Sequence, residues 1–345
     1  MMRRVLAIVT LFALVAALPA AAAAPLREPS PLREPGNTQR RDDRETQTEK
    51  ISRTFNIGTD GELDISNISG DIIVTRANGG TASIEAIKTS RAATTEEARE
   101  MLSLVAVDFV ERGTRVEVRA RYPNRDEWRA QGRGRRNVNV DVTFTIAAPQ
   151  NTRLTLKSIS GSVSVKDIAG ALTLESISGN VKLSNAGRVS LAKTISGNVE
   201  VMDTKIDGSL QAGTISGEVK LQKVAARDLQ LSSVSGNVWL QDVGSDRINA
   251  KTISGEVQFA GDLEPNGRYE FTSHSGSVRV AIGAKTGFQV EATSFSGGIT
   301  SDLPLTLEGG QDAGRRRRSI RGRFGDGSAV LDLTSFSGSI TIGKR

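Results

Sequence analysis

A phrase of the form S-[IV]-S-G-x-V recurs along this chain, and its repetition limits the possible folds more than any other feature. It reads "SISGSVSV" at 158–165, "SISGNVKL" at 176–183, "TISGNVEV" at 194–201, "TISGEVKL" at 214–221 and "SVSGNVWL" at 233–240. With the glycine taken as position zero, ten units centre on Gly70, Gly161, Gly179, Gly197, Gly217, Gly236, Gly255, Gly276, Gly297 and Gly338. From Gly161 to Gly297 the spacings are 18, 18, 20, 19, 19, 21 and 21 residues. Around Gly161, Leu154, Leu156, Ile159, Val163, Val165 and Ile168 occupy offsets −7, −5, −2, +2, +4 and +7. Alternation of this kind is the signature of strands, and the odd step from −5 to −2 predicts a corner there.

Short strands with corners at a fixed period predict an all-β fold, a parallel β-solenoid (β-helix-like) with coils of about 19 residues. One coil cannot bury its own inner face, whereas stacked coils can. At ~4.8 Å per step, eight coils span on the order of 40 Å. Propeller blades need roughly twice this period. By alternation, −2, 0, +2 and +4 are expected to point inward and −3 and −1 outward. Position −1 is Ser in all ten units, and −3 is Ser or Thr in nine and Asn67 in the other. Glycine on an inward position reads as a bend or a close approach of two backbones. The hydroxyls then form a structural ladder. A glycan-binding or ice-binding hydroxyl array is the functional alternative, and a bend beside it spoils the flatness that ice recognition needs.

The flanking segments read differently. Residues 1–24 place Arg3 and Arg4 before an apolar run from Val5 to Leu18 and an Ala-rich tract. That is the pattern of a signal peptide cleaved near Ala22 or Ala23, and the run is short for a membrane span. Its loss lowers the formal charge from +6 to +4. Residues 25–50 contain "PLREP" twice and read as a disordered Pro/Arg-rich linker. Residues 51–149 form an N-terminal β part with the first coil, a short helix and an Arg-rich loop. The helix is expected over 95–104, because Thr94 and Glu97 have capping-box spacing. Residues 150–345 form the repeated solenoid, with a second Arg-rich loop at about 308–328. The segment near 94–110 is a candidate cap for an open coil.

The phrases "LDISNISGDIIV", "VDVTFTIAAPQNTRLTLKSISGSVSV" and "LDLTSFSGSITIG", joined by the iterated repeat, resemble a bacterial exported family with β-strand repeats. That family is a candidate-adhesin domain of unknown function. The resemblance covers roughly residues 51–345 and implies a fold and an exported interaction role. It supplies no catalytic residues.

Site chemistry is sparse. The chain has no Cys and one His, which leaves no disulfide framework, no lipidated cysteine and no thiolate or multi-histidine metal site. No cofactor is expected. His274 falls at offset −2 and is expected in the core, away from any serine it could activate. Asp167, Asp203 and Asp242 share offset +6 with Asn185 and Lys223 and read as corner turns. The sharpest anomalies are the arginine clusters. Arg129, Arg133, Arg135 and Arg136, with Trp128 among them, and Arg315, Arg316, Arg317 and Arg318 are candidate anionic-ligand residues. Guanidinium forks suit carboxylates and phosphates. Trp239 falls at +3, on an outward position, as a candidate aromatic contact.

Together these features predict a non-enzymatic, exported scaffold in the periplasm, at the cell surface or secreted. Its expected partners are an anionic polysaccharide, lipopolysaccharide or an anionic lipid surface, with no nucleic acid. The alternatives are a polysaccharide-active lyase or hydrolase on the same solenoid and an envelope factor that binds a protein partner.

Overall fold

The computed structural model describes residues 44–123, 138–283, 285–307 and 318–345. The described chain is all-β and solenoid-like, with one helix. Each repeat folds as two strands joined at the glycine. The strands that precede the glycine, such as Arg153–Ser160, Ala171–Ser178 and Ser209–Ser216, pair in parallel on one face. Those that follow it, such as Val163–Lys166, Val181–Ser184 and Val199–Lys205, do so on the other. Equivalent residues lie opposite one another, as Leu154 with Leu172 and Val163 with Val181 with Val199. Residues at −7, −5, +2 and +4 line up as columns that are buried in most units, with Ser190, Ile299 and Ser301 as exceptions; Leu154, Leu156 and Val163 are fully buried and Val165 nearly so.

The corner lies later than the sequence pattern suggests. Outside the Gly197 unit, where the register shifts at Ser190, alternation runs unbroken from −7 through −3, so −3 points inward and −2 outward, the reverse of expectation. Ser176, Thr194, Thr214, Ser233, Thr252, Ser273, Ser294 and Ser335 are buried, whereas Ile159, Ile177, Ile195, Ile215 and Ile253 are 46–52% exposed. The physical reason is an acceptor. Each of those hydroxyls donates to a glycine carbonyl of the neighbouring coil, for example Thr194 Oγ1 to Gly179 O at 2.8 Å and Thr214 Oγ1 to Gly197 O at 2.9 Å. A buried hydroxyl with a good acceptor costs little. An inward isoleucine there would leave that carbonyl unpaired.

The glycines stack in close approach. A Cβ on any of the ten would collide with backbone of the adjacent coil. At the second corner, offset +6, Asp167, Asn185, Asp203, Lys223 and Asp242 all have left-handed φ between 48° and 61°. Asp and Asn tolerate that conformation, which accounts for the turn assignment. Lys223 shows that the backbone angle, not a carboxylate, is the requirement.

Both ends depart from sequential stacking. The glycine contacts give the spatial order Gly255, Gly276, Gly338, Gly297. The last coil in sequence, with strands Ala329–Ser335 and Ile340–Lys344, is thus inserted between the coils of Gly276 and Gly297. Strand Ser319–Phe324 pairs antiparallel with Phe288–Ser294, where a loop was expected over 308–328; residues 308–317 lie outside the described residues. At the other end, strand Glu62–Ser69 sits between Arg153–Ser160 and Arg115–Arg121. Val140–Pro149 pairs antiparallel with Thr81–Ala92, which pairs antiparallel with Glu45–Asn56. That strand begins at Glu45, inside the linker expected over 25–50; residues 1–43, with the expected signal peptide and the rest of that linker, lie outside the described residues.

The helix spans Thr95–Leu104, where the capping signal places it, and Thr94 Oγ1 accepts from Glu97 N at 3.2 Å. Its Ala98, Met101 and Leu102 are buried. Lys88 ties its C-terminal end to the sheet. The buried ammonium donates to Leu102 O and Val105 O, each at 3.0 Å, and lies 2.7 Å from Glu49. A cation at a helix C-terminus is favourable, and three acceptors satisfy its three protons.

Candidate functional site

With −2 pointing outward, every coil adds one side chain to an exposed row. In spatial order it reads Ile68, Ile159, Ile177, Ile195, Ile215, Val234, Ile253, His274, Phe336, Phe295. Nine of the ten are apolar, and the exposure of those nine runs from 38% to 58%. Contiguous apolar surface of this kind on a folded chain marks an interaction site. His274 is therefore outside, not in the core as expected. Its ring stacks on Phe336 at 4.8 Å, and Phe336 stacks on Phe295 at 4.7 Å with the planes 2° apart. The stack exists because the last coil is inserted between the other two.

Beside the row runs a groove of about 760 Å³. One wall is the aliphatic row from Ile68 to Val234; the other is offset −4, with Lys157, Glu175, Lys193, Gly213 and Ser232. Arg119 and Ala120 close one end. The floor is offset −3. The hydroxyls of Ser176, Thr194 and Thr214 are spent on glycine carbonyls, so the floor offers little polar capacity. Ser158 is different. Asn67 Nδ2 occupies Gly70 O at 2.7 Å, and the buried Ser158 Oγ has no partner among the described residues.

The residues singled out from sequence divide sharply. Arg129, Arg133, Arg135, Arg136 and Trp128, and Arg315, Arg316 and Arg317, lie outside the described residues. Arg318 is described, with its guanidinium carbon 5.8 Å from the Phe295 ring centroid, in cation–π range. Trp239 is half-buried between Lys220 and Gln258, and its buried Nε1 has no partner among the described residues. The corner carboxylates are tied to one another's neighbours: Asn185 Nδ2 donates to Asp167 Oδ1 at 2.7 Å, and Arg345 pairs with Asp242. Among the described residues no group of three or more metal-ligating side chains converges.

Two phenols are held neutral. Burial pushes Tyr269 up to about 12, and its hydroxyl donates to Ser245 O at 2.9 Å while accepting from Glu264 N. Burial, with the Asp141 charge, raises Tyr122 still further, and it donates to Val140 O at 2.8 Å. Both serve as structural donors.

The exposed row was missed because apolar residues at −2 read as core. The signal lay in −3: a position that is always Ser, Thr or Asn, two residues after an inward −5, is the inward one.

No helix among the described residues is long and apolar enough to cross a membrane. No curated protein matches the chain in sequence. Solved structures to which the chain shows some similarity include a candidate adhesin from Bacteroides fragilis, 15% identical over 86% of this chain and 97% of that one, with a TM-score of 0.42. A candidate adhesin from Parabacteroides merdae is 9% identical over 86% and 97%, also at 0.42. A candidate lipid binding protein from Parabacteroides distasonis is 9% identical over 84% and 96%, at 0.40. The Toastrack DUF4097 profile matches residues 61–343, and with a strand repeat, a glycine ladder and a two-strand coil that fill the same span, the chain belongs to that family.

Proposed function

We propose that this chain is an exported, non-enzymatic interaction scaffold of the cell envelope or surface, adhesin-like in role. In this reading the repeats form a rigid parallel β-solenoid of about 19-residue coils, and the arginine-rich interruptions bind anionic polysaccharide, lipopolysaccharide or anionic lipid. The observation that carries it is the placement of Arg318. Arg318, the described residue of the second cluster, presents its guanidinium beside Phe295, one ring of the exposed aromatic stack. The repeats favour the same division of labour, because their −3 hydroxyls are committed to glycine carbonyls of neighbouring coils.

The test is replacement of Arg315, Arg316, Arg317 and Arg318 by Ser. Binding to anionic glycans or anionic vesicles at low ionic strength should be lost, and it should weaken with salt in the parent chain, since exposed charges are screened within about 10 Å at 0.1 M. The far-UV spectrum should stay that of a β protein. Unchanged binding by a folded variant would remove the arginines from the function.

A further inference from the structure

The groove beside the apolar row has a polarity along its length. At one end stand Arg119 and Lys157, with the unpartnered Ser158 hydroxyl in the floor between them and the aliphatic wall. At the other end the −4 wall shrinks to Gly213 and Ser232, and the opposite wall remains Ile215 and Val234. Between them Lys193 has no carboxylate partner among the described residues, whereas Lys157 lies 3.8 Å from Glu175 and Arg119 lies 3.4 Å from Glu117. Cations thus outnumber the one acidic lining residue, and they gather toward one end of an apolar channel. Seven neighbouring strands contribute, so the channel is on the order of 29 Å long at ~4.8 Å per step.

A long, narrow, apolar groove with a cationic end fits a long, narrow, apolar ligand with an anionic end. We infer that the groove is a binding site for an amphiphile with a single extended hydrocarbon chain and an anionic headgroup. The chain lies along Ile159 to Val234, over a floor whose hydroxyls need no partner. The headgroup meets Lys157 and Arg119, beside the one floor hydroxyl still lacking an acceptor. Pockets of this volume are typical of small-ligand sites, mostly apolar with a few placed polar groups. Arg318, the described residue of the second cluster, does not line the groove, and the variants below test the two readings separately. A free fatty acid and the single tail of a lysophospholipid share the required chemistry.

The experiment titrates the purified chain with palmitate, palmitoyl lysophosphatidylglycerol and palmitoyl lysophosphatidylcholine, each below its micelle threshold, by calorimetry. Ile195→Gln places a polar group on the groove wall at an exposed site that tolerates it. Ile253→Gln makes the same change in the same row, in a coil that does not line the groove. Lys157→Gln removes the headgroup cation. Palmitate or the phosphatidylglycerol form should bind, with about a tenfold loss in Ile195→Gln and Lys157→Gln and no loss in Ile253→Gln. The variant lacking Arg315 to Arg318 should retain that binding. Three results overturn the inference: no saturable binding of any of the three; equal losses in Ile195→Gln and Ile253→Gln, which would mean adsorption along the whole row; or equal affinity for the anionic and zwitterionic lysolipids. Dissociation of a dimer by Ile195→Gln, seen by sedimentation, would assign the groove to a second copy instead.

Discussion

Replacing Gly217 with Ala tests the account of the glycine ladder with a single methyl group. Built on the backbone, that Cβ falls 2.7 Å from Gly197 C and 2.9 Å from Asn198 Oδ1, and closer still to Gly197 O. Ordinary C···O contacts need about 3.3 Å or more, so the two coils must part. The bonds at risk are Thr214 Oγ1 to Gly197 O at 2.9 Å, Gly197 N to Ser216 O at 3.0 Å and Ser216 N to Ile195 O at 2.8 Å. Weakening two or three of them at about 1 kcal/mol each costs roughly 2–3 kcal/mol. The φ of 149° adds strain for a residue with a side chain, about 1 kcal/mol or more. The sum, about 4 kcal/mol, is at the upper end for a point substitution. Ser216→Ala is the control: Ser216 is exposed, and its loss should stay within about 0.5 kcal/mol. Urea unfolding followed by far-UV dichroism gives the two values. Amide exchange should show faster opening at the coils of Gly197 and Gly217 than at distant coils, since stacked repeats couple mainly to their neighbours. A Gly217→Ala variant that loses less than Ser216→Ala, or opens everywhere equally, would refute the close-approach argument.

Three further outcomes follow from buried or crowded groups. Lys88→Met should cost about 3 kcal/mol by leaving Leu102 O and Val105 O without their donor, and exchange should localise the loss to Thr95–Leu104; a variant as stable as the parent would refute the anchoring role. Burial, then Glu270 and Glu291, raises the Asp332 carboxyl above its ordinary value. A raised carboxyl stabilises the fold only while protonated, and that contribution fades as pH climbs through the folded-state value. Asp332→Asn should therefore raise Tm at pH 7, and the gain should shrink below about pH 4; a gain that persists at low pH would reject the electrostatic cause. Trp239→Phe removes a buried donor that has no partner among the described residues and should be neutral or stabilising by thermal unfolding; a clear loss would mean that the indole N–H has a partner.

The repeat was legible because its cause is local. Val163, Val165 and Leu154 alternate with polar residues, and steric alternation of side chains decides their facing. The helix was legible for the same reason, through Thr94 and Glu97. What could not be read depends on contacts distant in sequence. Ile177 and Ser176 exchange faces because a glycine carbonyl in another coil, Gly161 O, needs a donor, and a hydrophobicity pattern carries no information about acceptors. Phe295 and Phe336 stand 41 residues apart in sequence, so nothing local announces that their rings stack. Ser158 loses its acceptor only because Asn67, from a much earlier unit, reaches it first.

The insertion of the last coil also sets an order of events. Tyr269 pairs with Leu331, and Leu331 with Val290. Strand Phe288–Ser294 therefore has no parallel partner until Ala329–Ser335 has been made, although it precedes that strand in the chain. Earlier coils can each dock on a completed neighbour as they emerge, with short loops to close. This one must wait, and its closing contacts, such as Tyr269 with Leu331, span about three times the separation of Ile248 and Tyr269 in the preceding pair of coils, which slows the step. During that wait the row of N–H and C=O groups on Arg268–Ser275 is unpaired, a site for mispairing with another chain. Assembly of the stack thus finishes by placing a keystone rather than by adding a final course.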